Sequence, residues 1–148
     1  MKREKEKLVA AQESESLMKN LLLKIDEFNE AKQKLMEEVQ TQFAIVVGSL
    51  MRKSAHLNTY SIQAYTPYFN DGDTCEYSVN TWGEVNEDEE GDENRGDGWG
   101  SEDDAIVQEI RKFLSIIDKE IFKGVYGDHV KIVFHRDGTS VTSEYEHE

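Results

Sequence analysis

Apolar residues recur along the first third of the chain at alternating steps of three and four. The series is Met18, Leu21, Ile25, Phe28, Lys32, Leu35, Val39, Gln42 and Val46, and seven of its nine members are apolar. Between Lys2 and Lys53 there is no proline, the only glycine is Gly48, and Lys, Glu, Leu, Ala, Gln and Met dominate, so one long helix is predicted. Towards its end Phe43, Ile45, Val46, Val47, Leu50 and Met51 make the helix apolar on most sides, as for a helix end sunk into a core. Fifty residues at ~1.5 Å rise span roughly 75 Å, whereas a ~100-residue domain has a radius of gyration of ~13 Å. The front half must therefore meet another helix. Either the chain breaks near Glu13 to Ser16 and folds back, or copies associate through Met18, Leu21, Ile25, Phe28 and Leu35; the plainer alternative for the first 16 residues is a frayed charged tail.

After Asn58 the period changes to two. Tyr60, Ile62 and Ala64 alternate with Ser61, Gln63 and Tyr65, and Tyr77, Val79 and Thr81 alternate with Glu76, Ser78, Asn80 and Trp82, which predicts a β-hairpin across the turn-rich stretch Thr66 to Asp73. Residues 83–102 read as a polar loop. Ser101 and Asp104 then resemble a capping box opening a helix to about Phe122, with Ile106, Ile110, Phe113, Leu114, Ile117 and Ile121 on one face and Gly124 and Gly127 ending it. Val130, Ile132 and Phe134, a turn at Arg136 to Thr139, and then Val141, Ser143 and Tyr145 form a second hairpin. The expected fold class is α+β. A helical stalk over residues 1–40 precedes a head over residues 41–148, in which a four-stranded antiparallel sheet carries the helices on one face.

Charge changes this picture in one place. Of the net charge of −14, residues 84–104 carry −10, with eleven acids against Arg95. This acidity argues against direct binding to nucleic acid or to an anionic membrane, and it favours a protein partner with a basic surface. Cys75 is alone, so an intrachain disulfide is impossible, which fits a reducing compartment. The charged start lacks a signal-peptide apolar region and the longest apolar run is Phe43 to Val47, so a cytoplasmic protein is expected.

Candidate chemistry is sparse. The stretch Tyr65 to Glu76 sets aromatics beside carboxylates, and Tyr65, Tyr68, Phe69, Asp71 and Asp73 are its candidate binding residues, against the plainer reading of a hairpin connection whose aromatics cover a sheet edge. In the acidic loop the candidates are Glu87, Asp88, Glu89, Glu90, Asp92 and Glu93, against the plainer reading of a solvated linker. The order of a calcium loop is missing, and His56, His129, His135 and His147 lack metal-site spacing. Gly96, Gly98 and Gly100 are ringed by acids that repel phosphate. No catalytic residue, metal or cofactor is expected.

The segment Tyr65-Thr66-Pro67-Tyr68-Phe69-Asn70-Asp71-Gly72-Asp73, followed by Cys75 and a strand, resembles a motif of small uncharacterised proteins from bacteria and tailed phages. Gly127-Asp128-His129-Val130 and Arg136-Asp137-Gly138 are similar to the ends of those proteins, and the likeness covers residues 57–82 and 103–147. It implies a shared fold and a phage origin, and transfers no catalytic residue. A phage origin in turn implies an accessory or anti-defence protein that binds and blocks a host protein in the host cytoplasm. The leading expectation is thus a non-enzymatic interaction protein that forms a homo-oligomer through its N-terminal helix. The alternative is a small-molecule or nucleotide-sequestering protein with its pocket near Tyr65, Tyr68 and Asp73. A hydrolase using acids with His129 or His135 has the least support.

Overall fold

The computed structural model describes residues 2–68, 72, 74–87 and 98–146. It divides into two compact units, residues 1–37 and 38–148. A single helix, α1 (Lys2–Met51), runs from the first into the second. Of the two alternatives for the front half, a break near Glu13 to Ser16 does not occur, since the serines there are flanked by good helix formers and no glycine or proline precedes Gly48. In the first unit Met18, Leu21, Ile25, Phe28 and Leu35 are all exposed, Phe28 by 65%.

The second unit is α+β. Its strands β1 (Thr59–Tyr65), β2 (Ser78–Val85), β3 (Val130–His135) and β4 (Ser140–Glu144) form one antiparallel sheet in the order β2-β1-β3-β4. The two hairpins therefore join through β1 and β3, with Tyr60 opposite Phe134, Ile62 opposite Ile132 and Ala64 opposite Val130. These six side chains share one face, because directly paired residues point the same way. Over them lie Phe43, Val47 and Met51 of α1, Val107, Ile110 and Leu114 of α2 (Ser101–Ser115), and Phe122 of α3 (Lys119–Tyr126). Phe43 is the hub of an aromatic cluster, with ring centroids 6.0 Å from Phe113 and 5.8 Å from both Phe122 and Tyr126.

Four sequence expectations are corrected. The helix expected to reach Phe122 is two helices: α2 stops at Ser115, whose hydroxyl donates to the Arg111 carbonyl, and Asp118 restarts the chain by accepting from the Glu120 N–H at 2.8 Å. The restart turns Phe122 inward and leaves Ile121 half-exposed. The N-terminus of α2 is held by Asp103, which accepts from the Gly100 N–H at 2.8 Å, while Asp104 accepts from the Trp99 indole at 2.9 Å. The polar loop is shorter than 83–102, since β2 continues through Val85, which is buried opposite Tyr60. Val141 faces away from the core, because it pairs with Val133 while Ser140 and Thr142 oppose Phe134 and Ile132.

Between Ser61 and Gln63 the pairing with β2 slips, so Thr81, Trp82 and Gly83 bulge opposite Ile62. The buried Tyr60 hydroxyl fills the gap, donating to the Thr81 carbonyl and accepting from the Gly83 N–H at 3.0 Å. Position 83 admits only glycine, since a Cβ there would lie 2.1 Å from the Ser61 carbonyl oxygen. Tyr60→Phe strips both partners and is expected to cost about 1–3 kcal/mol in urea unfolding. Gly83→Ala should cost at least as much, because the obstacle is backbone that cannot rotate away. Equal stability of both variants with the parent would show that the bulge is not held this way.

Candidate functional site

Where β1 leaves the sheet, Thr66 meets the segment that precedes β3. The Asp128 carboxylate accepts from the Thr66 N–H at 2.8 Å, the Thr66 hydroxyl at 2.7 Å and the His129 N–H at 2.8 Å. Burial tends to raise its pKa, but the Thr66 hydrogen bonds, the His129 N–H and the charge of His129 together hold it below the usual carboxylate range. His129 adopts a φ of 53°, in the left-handed region, and its carbonyl accepts from Tyr145 N–H at 2.8 Å. That turn lays the imidazole flat under Tyr68, with centroids 4.9 Å apart and planes at 12°. Beside them Tyr65 and Tyr145 pack with centroids 5.3 Å apart, and the Tyr77 hydroxyl donates to the Gly127 carbonyl. Burial, then the Asp128 charge, pushes the Tyr77 hydroxyl up to about 12.

The corner is thus an aromatic platform on a saturated carboxylate. Asp128 already has three donors and is no free base. His129 places Nε2 3.8 Å from Asp128, and its Nδ1 is buried without a hydrogen-bond partner among the described residues. Tyr68 lies on top and is two-thirds exposed. Such a surface can stack a planar or apolar segment of a partner.

Of the sequence candidates, Tyr65 and Tyr68 stand at this corner; Phe69, Asp71 and Asp73 lie outside the described residues, as do Asp88, Glu89, Glu90, Asp92 and Glu93. Glu87 is tied down within the chain, its carboxylate 2.8 Å from Lys131 Nζ across the sheet face opposite the helices. Burial works against its charge, yet the hydrogen bonds from Lys131 and Ser61 and the Lys131 charge keep its pKa lowered. Missed by sequence reasoning were Asp128 and His129 as partners of the aromatic turn. The only signal in the sequence is that Gly127-Asp128-His129 stands out as a second distinctive segment, far from Tyr68 along the chain.

A second polar cluster joins the loop after α1 to the start of α2. Asp103 is buried, accepts from the Ser54 hydroxyl and from Gly100, and lies 3.1 Å from His56 Nδ1; the Ser54 oxygen in turn accepts from the N–H groups of His56 and Leu57. Serine, histidine and aspartate meet here in the wrong order for a nucleophile, because the carboxylate and not the imidazole holds the hydroxyl. The third feature is an open groove of about 650 Å³ between β2 and α2, where the Arg111 guanidinium sits 4.4 Å over the exposed Trp82 ring beside Lys112, Gln108, Thr81 and Glu109, whose carboxylate is paired with Lys53 at 2.9 Å. Its lining includes neither Tyr65 nor Tyr68, where the alternative reading of a ligand-sequestering protein placed its pocket. Among the described residues no three His, Cys, Asp or Glu side chains converge to hold a metal ion, and no helix is long and apolar enough to cross a membrane. Comparison with protein-family models, with curated proteins and with solved structures finds no match.

The Asp103 cluster makes a pH prediction. The Ser54 hydroxyl first, then the Gly100 N–H and His56, hold the Asp103 pKa down, with burial opposing. A lowered folded-state value contributes stability that is complete above the unfolded value of about 3.9 and is lost as pH falls through the folded one. Asp103→Asn should lower the melting temperature at neutral pH, and the gap from the parent should close in strong acid. A gap that is constant with pH would remove ionisation from the account.

Proposed function

We propose that this chain is a non-enzymatic interaction protein that self-associates through the front of α1 and presents its second unit to a protein partner with a basic surface. One observation carries this reading: Met18, Leu21, Ile25, Phe28 and Leu35 form a regular seam on a helix, and all are exposed. Exposed apolar surface of this extent is costly in water and marks an interaction site. The platform of Tyr68 on His129 supports the second half of the reading, offering an exposed aromatic anchor. The charge of −14 supports a basic partner, since opposite fields speed encounter. In its fuller form the reading is an accessory protein that binds and blocks a host protein in the host cytoplasm.

Light scattering on the full chain should give a multiple of 17.0 kDa, and Leu21→Asp with Phe28→Asp should reduce it to one chain while the second unit keeps its melting temperature. A parent monomer at tens of micromolar would reject self-association. Removing residues 88–97, six acids and Arg95, should slow association with a basic partner, and added salt should do the same. An unchanged rate would discard the electrostatic role.

The Trp82 groove favours a second reading, sequestration of a small anionic ligand with a planar ring, held by Trp82, Arg111 and Lys112. Nucleotides that bound the folded chain would raise its melting temperature. A rise abolished by Trp82→Ala would establish this reading; no shift across the panel is the result expected for an interaction protein.

A further inference from the structure

We infer that the partner of the exposed seam is a second copy of this chain running antiparallel to it, paired about a point between Asp26 and Glu27. The inference rests on the self-association proposed above and adds its direction. Three observations carry it.

The first is the seam's own symmetry. Reversing the helix about that midpoint sets Met18 against Leu35, Leu21 against Lys32 and Ile25 against Phe28, so each of the six positions from Met18 to Leu35 meets another of the six in the second copy. The second is Lys32, the polar residue within the exposed seam. Parallel pairing in register stacks Lys32 on Lys32, two ammonium groups in one layer. Antiparallel pairing sets each lysine beside a leucine, where its stem packs and its charge reaches water.

The third is the charge of the two units. The side chains of residues 1–37 carry eight bases and eight acids, so the whole −14 belongs to residues 38–148. The seam leads directly into that acidic unit. Parallel pairing brings both acidic units to one end, whereas antiparallel pairing puts residue 38 of the two copies roughly 35 Å apart along the helix axis, about four screening lengths at physiological salt. The other end agrees, because residues 2–12 carry four bases and two acids and would run towards the partner's acidic unit. A parallel pair would place these basic ends together.

The test is the full chain carrying Met18→Cys and Leu35→Cys in a Cys75→Ser background, oxidised with a glutathione buffer and digested with trypsin. The two new cysteines are roughly 25 Å apart within one helix, too far to bridge internally, and they fall in separate tryptic peptides, residues 8–19 and 35–52. The expected product is a covalent dimer in which peptide 8–19 is joined to peptide 35–52, with the 8–19 self-linked product lost. Self-linked 8–19 and 35–52 would mean parallel pairing, overturning the direction while self-association stands. No covalent dimer, together with a 17.0 kDa mass for the parent, would overturn both.

Discussion

The guanidinium of Arg136 is the joint on which the second unit depends. A helix ends with carbonyls that have no partner of their own. Here α1 ends against Arg136, whose Nη1 donates to the carbonyls of Met51, Ser54 and Leu57, two of them at 3.2 and 3.0 Å. The Arg136 N–H donates to Asn58, and Arg52 returns a bond to the Arg136 carbonyl at 2.7 Å. One residue in the turn of the second hairpin thereby organises the whole passage from α1 to β1. Gly48 belongs to the same joint, since a Cβ there would lie 2.7 Å from the backbone of Gly138. The helix approaches the β3–β4 turn closely because neither chain has a side chain in the way. With that approach fixed, Phe43, Val47 and Met51 fall over the sheet and the core closes.

The same economy governs the other passages. Asn86 is buried in a left-handed turn, where its side-chain oxygen accepts from the Asn58 and Thr59 N–H groups and its nitrogen donates to the His56 carbonyl. Asp103 and Ser54 join the start of α2 to the loop after α1. Each is a small polar side chain replacing backbone pairing where the chain changes direction, so buried amides and carbonyls stay satisfied.

What could be read from the sequence was whatever repeats. The long helix, both hairpins and the inward faces of Tyr60, Ile62, Ala64, Val130, Ile132 and Phe134 followed from spacing alone, because a period of two or of three to four is imposed by local geometry. What could not be read depends on contacts between distant residues. Asp118 splits α2 from α3 through one cap, and nothing in its neighbours distinguishes it from other helical acids. The β2 bulge requires knowing that Tyr60 reaches Thr81 and Gly83. The corner where Tyr68 covers His129 was half legible, as two unusual segments whose meeting depends on β1 and β3 being neighbours. Arg136 was read as a turn residue; its three carbonyls are 79 to 85 positions away.

The two units divide the physical work of the chain unequally. The first is electrically neutral, is helical throughout its described residues and leaves most of its apolar side chains exposed; the second has a closed core and the entire net charge. A neutral apolar seam gains by association whatever the salt, because burial of hydrocarbon is the driving term. An acidic folded unit does the opposite, repelling its own kind and attracting a basic surface. If the chain pairs with itself and captures a basic partner as proposed, the two events would respond to different conditions. Salt would then weaken capture and leave the seam intact, and aspartate in place of Leu21 and Phe28 would disrupt pairing without touching the core around Phe43 and Phe122. That separability follows from the distribution of charge and hydrocarbon along the sequence.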